Sequence, residues 1–87
     1  MTNSMKYIFR NNKLESTIVI IEPWAEEFTV CPGSILQLEI LYAKTGVLET
    51  EISSKYFTLW LWAGCQVKVL LDGKDKTPPS LSIPAFG

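Results

Sequence analysis

The chain has 87 residues, with eight basic and nine acidic side chains, a net charge of −1 and no histidine. A single domain is the expectation at this length. The mild acidity, with a sequence pI near 5.3, argues against a nucleic-acid partner, because such binding rests on Lys and Arg neutralising phosphates.

Hydrophobic residues make up 47% of the chain, including three tryptophans, three tyrosines and four phenylalanines. That is enough for a modest core, yet a domain this small hides only roughly 60% of its unfolded surface, so association would add stability. Lys6 and Arg10 are followed by no apolar run of secretory-signal length, and no segment resembles a membrane span. Neither export nor a membrane is expected. Cys31 and Cys65 are too few for a disulfide framework, which favours a cytoplasmic protein with both thiols reduced.

In chain order, residues 5–10 alternate Lys6, Ile8 and Arg10 against Met5, Tyr7 and Phe9, a short strand. Asn11-Asn12-Lys13 reads as a hairpin turn, since Asn tolerates the left-handed conformation. Residues 16–22 follow, in which Thr17, Ile18, Val19, Ile20 and Ile21 form a β-branched run suited to a central strand covered on both faces. Pro23, with no N–H for the ladder, ends it.

Residues 28–30 form a further short strand, and Cys31-Pro32-Gly33-Ser34 has Pro and Gly at the central positions of a type II turn. Over residues 35–42, Leu36, Leu38, Ile40 and Tyr42 face one way while Gln37 and Glu39 face the other. In residues 47–53, Leu48, Thr50 and Ile52 alternate with Glu49 and Glu51. Pairing these two strands as a hairpin would set Tyr42, Ile40 and Leu38 against Leu48, Thr50 and Ile52, and would bring Glu39 opposite Glu51. That like-charge pair would need a solvated face or a cation such as Lys55 or Lys68.

The stretch 55–73, KYFTLWLWAGCQVKVLLDG, reads as two strands about a corner at Ala63-Gly64. Phe57, Leu59 and Leu61 share one face, and Tyr56, Thr58, Trp60 and Trp62 share the other. After Asp72-Gly73 the composition turns to charge, Ser and Pro. We therefore divide the chain into a β domain over 1–76 and an extended Pro-rich tail over 77–87, docked through Leu81, Ile83 and Phe86 on the domain or on a neighbouring subunit. No segment has a helical apolar period. The fold expected is all-β, a small antiparallel β-sandwich or partly open barrel of about seven short strands.

Offset by 31 residues, FTVCPGSILQLEI (28–40) and LWLWAGCQVKVLL (59–71) match in type, with Gly33 falling on Gly64. The echo bears on register. A connection one residue longer than a two-residue turn aligns Leu61 with Val67 and Leu59 with Val69, and sets Trp60 opposite Lys68 and Trp62 opposite Gln66. This register separates apolar from polar residues better. It places Leu59, Leu61, Val67 and Val69 inside, and Trp60 and Trp62 outside that core.

Without histidine the chain has no Ser-His-Asp or Cys-His catalysis and no blue-copper ligation. Widely spaced cysteines suggest no metal site or cofactor. Glu22, Glu26 and Glu27 flank Pro23-Trp24 as a glycosidase pair could, but adjacent Glu26 and Glu27 point to opposite sides of an extended chain. Asp72-Gly73-Lys74-Asp75 lacks the downstream ligands of a calcium loop and reads as a turn.

The aromatic group remains. Tyr56, Trp60 and Trp62, with Gln66 and Lys68 across the expected ladder and Trp24 nearby, form the candidate interface or ligand face. The function expected is a non-catalytic interaction module that self-associates as a homo-oligomer or binds a protein partner through this face. The alternative is a saccharide-binding module using Trp60 and Trp62, and a hydrolase using glutamates is a distant third.

Overall fold

The computed structural model describes residues 2–86. Eight strands form: β1 (Asn3–Arg10), β2 (Thr17–Glu22), β3 (Glu26–Val30), β4 (Ile35–Tyr42), β5 (Glu49–Ile52), β6 (Tyr56–Trp60), β7 (Gln66–Leu71) and the two-residue β8 (Lys74–Asp75). They make two packed four-stranded sheets, a first of order β1-β4-β7-β8 and a second of order β3-β2-β6-β5. The fold is an all-β sandwich. No helix among the described residues is long and apolar enough to cross a membrane.

Alternation decides what lies inside. Leu36, Leu38, Ile40, Val67 and Val69 of the first sheet meet Val19, Ile21, Val30, Phe57 and Leu59 of the second, all buried. Phe57 is covered by β1 of the opposite sheet, with the Phe9 and Tyr7 rings stacked on it at centroid distances of 4.9 and 6.5 Å. Burial also lifts the Tyr7 pKa above its ordinary value. Leu61 belongs to this core as well, so the inward set read from residues 55–71 is correct.

The pairing differs from expectation. β6 and β7 do not form a hairpin about Ala63-Gly64: β6 lies between β2 and β5 in the second sheet, and β7 lies between β4 and β8 in the first. Lys68 therefore stands opposite Glu39 and not Trp60, and Gln66 opposite Leu41 and not Trp62. Likewise β4 and β5 belong to different sheets. Glu39 sits between Lys6 and Lys68 instead of facing Glu51, whose neighbour is Thr58. The β2–β6 pair is also parallel within an otherwise antiparallel sandwich.

The cause lies in the connections. Cys31-Pro32-Gly33-Ser34 and Trp62-Ala63-Gly64-Cys65 are equivalent turns, closed by Ser34 N–H to Cys31 O at 2.9 Å and Cys65 N–H to Trp62 O at 3.3 Å. Each has glycine in the left-handed region, Gly33 at φ 82° and Gly64 at φ 90°. The echo in the sequence is thus a repeated arch that carries the chain from the second sheet to the first. Inward residues on either side of an arch face each other across the core, which leaves the same alternation as a hairpin would.

Asn11 is likewise no hairpin residue. It is buried, and its side-chain N–H groups donate to Glu15 O and Val30 O at 2.8 and 2.9 Å, while its Oδ1 accepts from Lys13 N at 2.9 Å. It holds the crossing from β1 to β2. The true tight hairpin is Asp72-Gly73 between β7 and β8, with both residues at positive φ (50° and 81°), as a type I′ turn requires.

The tail is not wholly extended, because a 3-10 turn spans Pro79–Ser82 and buries Leu81 completely. Beyond it, Ala85 N–H donates to Cys65 O at 2.8 Å and Gly64 N–H donates to Ala85 O at 2.6 Å, so the tail lies on the second arch. Ile83 and Phe86 stay exposed. Replacing Leu81→Ala is expected to cost about 2–5 kcal/mol in urea unfolding, since the vacated site is sealed by core.

Candidate interaction face

The outer face of the second sheet is built from alternate residues of its four strands. Ile18 lies beside Tyr56, Ile20 beside Thr58, and Glu22 beside Trp60, across the parallel β2–β6 pair. On the flanking strands, Glu27 lies beside Ile20, Glu51 beside Thr58 and Glu49 beside Trp60. The result is a flat apolar strip with carboxylates at its sides. Tyr56 and Trp60 are 44% and 39% exposed, and Ile18 and Ile20 are half-buried.

β2 is therefore covered on one face only. Its burial alternates strictly, with Thr17, Val19 and Ile21 inside and Ile18 and Ile20 outside. The expectation of cover on both faces fails because, among the described residues, no second layer packs on the outer side and Ile18 and Ile20 stay half-buried. Trp60 is held in place by its indole N–H, which donates to Glu51 Oε1 at 2.7 Å. That bond lays the ring toward β5 and neutralises part of one carboxylate's hydrogen-bonding demand.

The other residues expected at this face lie elsewhere. Trp62 lies past the end of β6, where the chain is already crossing sheets. Its ring meets Tyr42 edge-on at 5.4 Å, its N–H donates to Lys44 O at 2.8 Å, and it packs against the core cluster. It is a half-buried plug over one end of the sandwich, not an outward residue. Trp24 is covered by the tail, with its N–H donating to Ile83 O at 3.0 Å. Gln66 and Lys68 are on the opposite sheet; the Gln66 amide is bonded to Ser82 O, and Lys68 is exposed beside Glu39.

The acidic candidates are dispersed too. Glu27 points to the outer face and Glu26 to the core side, where it accepts the Ser80 hydroxyl. Asp72 sits at the β7–β8 turn and accepts Ile35 N–H at 2.9 Å. That backbone bond, then one from the Ser34 hydroxyl, hold its carboxyl below the usual aspartate range. Cys31 is an exposed free thiol and Cys65 a buried one, its pKa pushed up by burial.

Ile18, Ile20, Glu49 and Glu51 are members of this face that the sequence reading does not single out, while Glu22 and Glu27, weighed there as a hydrolytic pair, stand here on either side of the apolar strip. The signal for Ile18 and Ile20 is the two-sided apolar run of residues 17–21, whose pattern alone does not distinguish a covered strand from one with an open outer face. No protein-family model, no curated protein and no solved structure matches the chain.

Two consequences can be measured. A Cβ at Gly46 would overlap the Trp62 ring. Gly46→Ala should therefore expel the indole, shifting tryptophan emission to the red and costing about 1–3 kcal/mol. For Asp72, a folded pKa below the unfolded one means stability present above the unfolded value and lost as pH falls through the folded one. Asp72→Asn keeps a residue suited to positive φ, and its unfolding midpoint should vary less on acidification than that of the parent.

Proposed function

We propose that this protein is a non-catalytic interaction module that docks a cationic protein surface on the outer face of the β3-β2-β6-β5 sheet. The first candidate partner is a second copy of the chain. The observation that carries this reading is β2: Ile18 and Ile20 make it apolar on its outer face as well as its inner one, beside exposed Tyr56 and Trp60. Contiguous exposed apolar surface rimmed by polar residues is a mark of interaction sites. Trp and Tyr also supply large contact area at small entropic cost.

Charge selects the partner. Glu22, Glu27, Glu49 and Glu51 frame the strip, so two such faces pressed together would repel. The outer face of the first sheet is the better counterpart. There Lys6, Arg10 and Lys68 surround Glu39, interleaved with Ile8, Leu41 and Leu70, while Asp75 at the edge is engaged by Thr77. Stacking one face on the other is a head-to-tail contact, which closes into a ring or continues as a filament. The free thiols suit a reducing, cytoplasmic setting. A saccharide platform using both Trp60 and Trp62 has less support, since Trp62 is enclosed by Tyr42 and the Gly46 loop.

Sedimentation velocity across micromolar concentrations tests the proposal. Mass should rise with concentration at low salt, fall as salt screens the charges, and return to monomer in Tyr56→Thr/Trp60→Thr. A monomer throughout, whose tryptophan emission ignores a lysine-bearing β-forming peptide, would overturn it.

A further inference from the structure

The sandwich is open along one flank. β1 is the edge of the first sheet and stacks Phe9 and Tyr7 over β6, so β5, the edge of the second sheet, extends beyond it. Ile52 pairs with inward-facing Phe57, yet it is 75% exposed. A core-side apolar side chain is thus left largely uncovered. Beside it lies a cleft of about 220 Å³, walled by Phe9, Phe57, Ile52 and Tyr56 and reaching the buried Thr17.

Its charged lining is of one sign. Arg10 and Lys13 line the cleft and no carboxylate does, in a protein whose acidic residues outnumber its basic ones. The backbone that carries both cations is fixed in advance of any ligand. Asn11, between them, spends its side-chain amide on Glu15 O and Val30 O and its side-chain carbonyl on Lys13 N. Its backbone donates to Ser34 O at 3.1 Å and accepts from Gly33 N at 2.9 Å. The segment carrying Arg10 and Lys13 is thus tied to β3 and the first arch, which lowers the ordering cost of binding.

We propose that this cleft is a binding site for a small aromatic carboxylate, the ring lying against Phe9 and Phe57 and the carboxylate held by Arg10 and Lys13. The size is below the roughly 300–1,000 Å³ of drug-sized sites, which limits the occupant to one ring or a short chain. The planar guanidinium suits a carboxylate's paired oxygens. The site lies on the flank between the sheets, apart from the strip of Ile18, Ile20 and Trp60; Tyr56 borders both, and Arg10 belongs also to the cationic outer face of the first sheet.

Titration by amide NMR with 3-phenylpropanoate, and in parallel with neutral 3-phenylpropanol, tests it up to about 10 mM. The acid should give saturable shifts confined to residues 9–13, 17, 52 and 56–57, and should bind about tenfold or more tightly than the alcohol. Arg10→Gln/Lys13→Gln, which changes exposed side chains only, should abolish that preference and bind both ligands as weakly as the parent binds the alcohol. Absence of shifts, shifts scattered over the surface, equal affinity for acid and alcohol, or an undiminished preference in the double variant would each overturn it.

Discussion

The structure depends on how the chain passes between its two sheets. Only β2–β3, β5–β6 and β7–β8 join consecutive strands within a sheet; each of the other four connections crosses the core. Two of the crossings are the matching arches with Gly33 and Gly64, and a third is held by the fully bonded Asn11. An arch needs a residue at positive φ to reverse the chain without turning it back into its own ladder, and glycine meets that need without a steric penalty. Because the arches divide β6 from β7 and β3 from β4, they set which residues share each outer surface.

That division gives the two outer surfaces their contrast. The second sheet collects Ile18, Ile20, Tyr56 and Trp60 with glutamates around them, while the first collects Lys6, Arg10 and Lys68 about Glu39. With β6 and β7 paired as a hairpin, Lys68 would have stood next to Trp60 and the contrast would have vanished. The same topology leaves β5 without a strand facing it, which opens the flank at Ile52. The two tryptophans outside that surface serve as closures, Trp62 under the β4–β5 loop and Trp24 under the tail.

Inside and outside were legible from the sequence. Leu36, Leu38, Ile40, Leu59, Leu61, Val67 and Val69 are buried as their period-2 spacing requires. Partners were not legible, because a strand's alternation records only that one face meets apolar matter. It does not say whether the next strand lies beside it or across the core. Local turn chemistry helped where it was specific: Asp72-Gly73 is a hairpin turn, and Pro32-Gly33 is a turn of the kind read from it. Trp62 departs from the expected outward position since alternation ends where the strand ends, and it lies two residues past Trp60 on a chain already leaving the sheet. The role of Ile18 and Ile20 was hidden for a different reason: an apolar run shows that cover is wanted, not that the chain supplies it.

The sheet assignment is tested most directly by backbone nuclear Overhauser contacts in solution. Cross-strand contacts should join Ile20 with Thr58 in the parallel β2–β6 pair and Leu38 with Val69 in the antiparallel β4–β7 pair. Contacts joining Leu61 with Val67 and Trp60 with Lys68 across a common ladder would contradict the arches, and with them the separation of the aromatic face from the cationic one.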